Sequence, residues 1–256
     1  MAQLITEGVK EQFELQRLAS AILDQSAVQN KTSICHHFEN YYDNKEKLLD
    51  VFNKGQGIVK WAVNLLHSDI DLSNFKLLKD FVYNYQPLPL NIHFGVNYNN
   101  IAEFKPKTNS IHVLFRANDF VGFMFKYWND KIPCEATIKR VFYTIFISPL
   151  IHELQHAYDY FRSKGRDATD KKSMRLYSDF SLSEEQYQKL YYSVPHEYWA
   201  RFAEVVNFLR FVQKPTFQIY LEKFKEELRG WEHISPTNQK RLIRAIYKVY
   251  DLKYGK

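Results

Sequence analysis

Two cysteines, Cys35 and Cys134, are all that this chain carries. Two cannot build the disulfide framework of a small secreted scaffold, so stability has to come from a hydrophobic core, and a reducing compartment fits. Glycine is scarce, at 8 of 256 residues, which favours a helix-rich fold with few tight turns. No apolar run approaches the length that crosses a bilayer. The first residues, "MAQLITEGVKEQFELQRLASAI", have Glu and Lys spread through them and lack the apolar core of a signal peptide. These absences read as a soluble, cytoplasmic protein with no membrane partner. Internal repeats and low-complexity tracts are also missing.

What is present is ordinary globular material: 45% apolar and 25% charged residues, with aromatics high at 16%. The length suits one large domain or two modest ones. The net charge of +6 is mild. The most basic piece, "KRLIRAIYKVYDLKYGK" at the C-terminus, reads as a solvated helix face in preference to a nucleic-acid or anionic-surface site.

Periodicity divides the chain into three regions. Residues 1–88 read as an N-terminal helical region. Apolar spacing of three and four recurs in "FELQRLASAIL" and "LLDVFNKGQGIVKWAVNLL", with Gly55 and Gly57 as a break and "QPLPL" (86–90) as closing punctuation. A core over 89–212 starts with strand-like runs, "LNIHFGV" and "NNIAEFKPKTNSIHVLF", the second split by a turn signal at 105–109. Helices return from Ala136. Residues 213–256 form a C-terminal helical extension, in which Ser235-Pro236 reads as an N-cap with proline at the first helical position. The fold class expected is helix-rich α+β.

The segment "SPLIHELQHAYDYF" (148–161) contains His152-Glu153-x-x-His156. On a helix His152, His156 and Asp159 fall within about 60° of one another. Leu154, Ala157, Tyr158 and Phe161 form an apolar stripe on the other side. Such a helix buries one face and presents two imidazoles on the other. Glu153 lies to the side of the histidine pair, where a general base stands close to a metal-bound water without being a ligand. The plainer alternative is two histidines on an amphipathic helix.

A zinc site needs a third protein ligand. No histidine follows closely downstream; the position six after His156 is Arg162. The candidate is Glu197 in "SVPHEYWARFAEVVNFLRF", where Glu197, Arg201 and Glu204 share one helical face and Trp199, Phe202, Ala203 and Val206 the other. The alternative for Glu197 is an exposed salt bridge with Arg201.

Together, "HELQHAYD" and "PHEYWARFAE" resemble the gluzincin pattern of zinc metallopeptidases, closest to the Mlc titration factor and anthrax lethal factor type. The resemblance covers roughly residues 95–210. It implies a zincin-like small sheet beside an HExxH helix and a Glu-ligand helix. His152, His156 and Glu197 would be the zinc ligands and Glu153 the general base. Asp159 matches the acidic residue after the second histidine, Tyr198-Trp199-Ala200 the segment after the glutamate ligand, and Glu204 a further acidic position. Arg201 departs from the lethal-factor pattern. Asp159 and Glu204 then orient the imidazoles or pair with Arg201. The resemblance also implies a Tyr that stabilises the oxyanion, with Tyr191 and Tyr192 near the expected place and Tyr187 further off. It implies an edge strand that receives an extended peptide, for which Ile111, His112, Val113, Leu114 and Phe115 are the candidates. The polar segment from Arg162 to Ser183 is the expected cover of the cleft. The activity implied is peptide-bond hydrolysis of a peptide or protein substrate. The rival expectation is a zincin-fold structural or interaction module, metal-bound or vestigial, in a larger assembly such as a phage virion, because the helical extensions exceed what a minimal peptidase core needs.

Overall fold

The computed structural model describes residues 13–24, 35–36, 38–53, 68–70, 90–97, 99, 101–128, 132–163, 181–209 and 213–255. The expected breaks at Gly55 and Gly57, the boundary at 86–89 and most of the cover segment lie outside them. The described chain is helix-rich α+β with a small mixed sheet. Its elements are α1 (Lys45–Asn53), β1 (Ser68–Ile70), β2 (Leu90–Asn97), β3 (Ile101–Lys105), β4 (Ser110–Arg116), α2 (Ala117–Tyr127), α3 (Cys134–Ile145), α4 (Ile147–Arg162), α5 (Glu184–Ser193), α6 (Pro195–Phe208), α7 (Phe217–Leu228), a 3-10 turn (Trp231–His233) and α8 (Pro236–Tyr254). Residues 13–24 are also helical. Two compact units are formed, one of Arg17–Ala157 and one of Met1–Gln16 with Tyr158–Lys256. Ala157 and Tyr158 are consecutive in α4, so this division runs through a single helix.

In the first unit the strand order is β1-β2-β4-β3. β2 runs parallel to β4, and the two outer strands are antiparallel to their neighbours. Alternation sorts the side chains. Ile92, Phe94, Ile111 and Val113 are buried on one face, while His93 and His112 stack on the other with ring centroids 4.6 Å apart. The turn signal at 105–109 closes the β3–β4 hairpin. Asn109 takes the left-handed conformation there (φ 48), which asparagine tolerates better than most residues.

The edge-strand expectation for 111–115 is corrected by this topology. β4 is interior: β2 hydrogen-bonds one of its sides and β3 the other. Its main-chain donors and acceptors are already paired, so Ile111, His112, Val113, Leu114 and Phe115 cannot receive a peptide by strand addition. The outer strands among the described residues are β1 and β3.

The helix α2 was not anticipated, since helices are expected to return only from Ala136. Ala117, Phe120, Val121 and Met124 nonetheless recur at helical spacing and are all buried. α3 and α4 are separated only by Phe146, whose ring stacks on Phe142 at 4.8 Å. Pro149 explains the interruption. It has no N–H to give Ile145, and its ring opposes that carbonyl in a continuous helix. Pro149 therefore sits in the first turn of α4, where an N–H is not needed.

The second unit is helical. Ser183 and Gln186 form a reciprocal capping box that starts α5. Val194 alone joins α5 to α6, with Pro195 at the first helical position. Ser235 caps α8 through the Asn238 N–H, and Pro236 follows it, as the sequence implies. Phe202, Val206, Tyr220, Phe224, Leu242 and Ile246 are central to one buried apolar cluster drawn from α6, α7 and α8. Truncating a buried phenylalanine such as Phe224 to alanine costs about 3–5 kcal/mol in cores of this kind. Gly230 (φ 69) turns the chain out of α7, and a Cβ on it would come within 2.3 Å of the Tyr192 ring. Glycine is required there, and the Tyr192 ring is held in place beneath it. On α8, Leu242, Ala245, Ile246 and Val249 are buried while Lys240, Arg241 and Arg244 are exposed, so the basic C-terminal stretch is one face of a packed helix.

Candidate metal centre

His152 and His156 are one turn apart on α4, with ring centroids 4.7 Å apart and planes at 79°. Leu154, Ala157, Tyr158 and Phe161 are buried, as the apolar stripe implies. The opposite side is also enclosed, against expectation: His152 is 6% exposed, Glu153 5% and Gln155 4%. Buried polar groups of this kind require partners.

Glu197 stands in the first turn of α6, where the helix dipole favours a carboxylate. It is 3% exposed, which rules out the exposed salt bridge with Arg201. Arg201 instead pairs with Glu204 at 2.8 Å. One Glu197 oxygen lies 3.3 Å from His196 Nε2. Tyr191 lies close enough to the same carboxylate that burial together with the Glu197 charge pushes its pKa up. Tyr191 is therefore a neutral O–H donor across the physiological range. Tyr187 stacks on Tyr191 at 6.1 Å, is more exposed, and is raised by burial and by Glu197.

His152, His156 and Glu197 converge. Each offers one ligand atom, and these atoms lie within 4.8 Å of one another. This is the one such group among the described residues, and it could hold a metal ion. The three residues read from the sequence as ligands are the three brought together. Of the tyrosines, Tyr191 faces Glu197, while Tyr192 is committed to the packing under Gly230. Of the acidic candidates, Glu204 serves Arg201, and burial lowers while Glu204 raises the guanidinium pKa, with a net rise. Asp159 is half-buried on α4. His196, the sequence neighbour of Glu197, reads from the sequence as an accessory group or a solvent-facing histidine; in the fold it is half-buried, with its Nε2 against the ligand carboxylate.

Among the described residues no helix is long and apolar enough to cross a membrane. Comparison with protein-family models, with curated proteins and with solved structures finds no match to this chain.

Proposed function

We propose that the chain is a zinc-dependent peptidase of the gluzincin kind, with a zincin-like arrangement of its HExxH and glutamate helices. The observation that carries this reading is the convergence of His152, His156 and Glu197, side chains from two helices, within 4.8 Å. The donor set fits zinc. Two imidazoles and one carboxylate suit it, whereas magnesium and calcium take oxygen ligands. Ligand atoms on a tetrahedral ion with bonds of about 2.0–2.1 Å stand roughly 3.4 Å apart, so side-chain movements of about an ångström close the site.

A zinc ion held by these residues would polarise the carbonyl of a peptide bond and acidify a water at its fourth position. Glu153, adjacent to His152 on α4, takes the proton of the attacking water and returns it to the leaving amine. Its low exposure keeps competing solvent away from that transfer. Tyr191, held neutral, has the O–H that a developing oxyanion needs. The Arg201–Glu204 pair fixes the face of α6 one turn beyond Glu197.

The burial of Glu153 also supports a second reading, a metal-holding structural module in an assembly, because a working base must meet water and substrate. Metal analysis and a peptidase assay on a denatured protein substrate separate the two. The enzyme reading expects one zinc per chain in the wild type, loss of zinc in His152→Ala, and zinc-dependent cleavage. Stoichiometric zinc without cleavage would favour the module, and absence of zinc in the wild type would remove both.

A further inference from the structure

His93 on β2 and His112 on β4 are partners in the parallel register, so they leave the sheet on one face from adjacent strands. Their ring centroids are 4.6 Å apart and their planes 27° from parallel. Both are half-buried, on the face opposite Ile92, Phe94, Ile111 and Val113. A chain of hydroxyls holds the second ring. The Thr108 hydroxyl donates to the Lys105 carbonyl at 3.5 Å. Its proton is then used, so the Ser110 hydroxyl donates to Thr108 Oγ1 at 2.7 Å and accepts from His112 Nε2–H at 3.2 Å. Neutral His112 therefore carries its lone pair on Nδ1. Glu103 is the register partner of His112 on β3 and adds a carboxylate to the row, bonded to Lys105 at 2.8 Å.

We propose that His93 and His112 form a second metal site, for a tetragonal divalent ion of the nickel–copper class. Imidazole nitrogens suit these ions. With bonds of about 2.1 Å at an angle of about 90°, two imidazole ring centres stand roughly 4.5 Å apart, against about 5.3 Å on a tetrahedral ion. The observed spacing is that of the tetragonal case. Ligating histidines are oriented by a hydrogen bond from their other nitrogen, and Ser110 provides it for His112. His93 then needs only a turn about χ2, a soft torsion, to bring a nitrogen onto the same ion. Waters would complete the coordination, and Glu103 supplies charge of the right sign nearby. The site joins β2 to β4 and is independent of His152, His156 and Glu197 and of the peptidase reading.

The test titrates the full chain, saturated with zinc beforehand, with nickel chloride in isothermal calorimetry, and follows the histidine ring signals by NMR. In the wild type one nickel should bind. The His93 and His112 ring signals should shift or broaden together, because nickel with imidazole and water ligands is paramagnetic. His93→Asn and His112→Asn should each weaken the binding about 100-fold, and the double variant hardly further, because a chelate is lost with either arm. Ser110→Ala should weaken it about 10-fold and Ser110→Thr restore it. His152→Ala should leave it unchanged, so failure of the peptidase reading and failure of this one are told apart. Nickel that leaves both wild-type ring signals unmoved would overturn the proposal, whatever the variants do. So would a nickel event abolished by His152→Ala, or single losses that add in the double variant, the mark of two separate one-imidazole contacts.

Discussion

Replacing Glu197 by Gln tests the third ligand with little change of shape. The side chain keeps its length and one carbonyl oxygen but loses its charge. Without metal the effect should be small. A buried carboxylate costs desolvation, while the first turn of α6, Tyr191 and His196 offset part of that cost. The metal-free variant should match the metal-free wild type to within about 1 kcal/mol. With zinc the difference becomes large. Four-ligand zinc sites hold the ion with about 10–16 kcal/mol, so one ligand corresponds to roughly 3–4 kcal/mol, or about 200- to 1,000-fold in affinity. At a free zinc level about 1,000 times the wild-type dissociation constant, binding stabilises the wild type by about 4 kcal/mol, and a variant roughly 300-fold weaker by about 1 kcal/mol. Differential scanning calorimetry with and without zinc should then show a wild-type rise in Tm of about 8–16 °C shrinking to about 2–4 °C. Competition with a chromophoric chelator measures the affinity directly. A variant that keeps the whole zinc-induced shift would refute Glu197 as ligand. A metal-free variant destabilised by more than about 2 kcal/mol would mean that the carboxylate holds the fold rather than the ion.

Glu153→Gln should keep its zinc and its melting temperature while kcat falls by about 10²- to 10⁴-fold; equal activity in variant and wild type would end its assignment as base. Tyr191→Phe should lower kcat by about 10²-fold with KM little changed and zinc retained, an assignment that unaltered kinetics would exclude. Tyr220 is buried, its hydroxyl has no hydrogen-bond partner among the described residues, and burial pushes its pKa up. Tyr220→Phe should therefore stabilise the chain by about 1 kcal/mol at neutral pH in urea unfolding. Folding favours the neutral form of Tyr220, so its contribution is present below the unfolded-state value of about 10 and is lost as pH rises toward the folded value. The variant's advantage should widen above that pH, and a constant difference between pH 8 and pH 11 would contradict the direction of the shift.

Much of this molecule is local information and is legible without coordinates. Ser183 with Gln186, Ser235 with Pro236, and the turn at 105–109 are settled by a few neighbouring residues whose backbone chemistry allows little else. The spacing in His152-Glu153-x-x-His156 is a property of any α-helix, and Glu197 becomes a candidate ligand by the same kind of reasoning on a second helix. What only the tertiary structure decides is which neighbour each group meets. Strand order is set by pairing between distant segments, which is why 111–115 reads as an edge yet lies inside the sheet. Packing from elsewhere encloses Glu153 on a side of α4 that its own periodicity marks as open. Tyr191 and Tyr192 are adjacent and chemically equal until one meets Glu197 and the other lies beneath Gly230. The rings around Phe38 bury their surface against α2, and such apolar packing between remote pieces of chain has no local sequence signature.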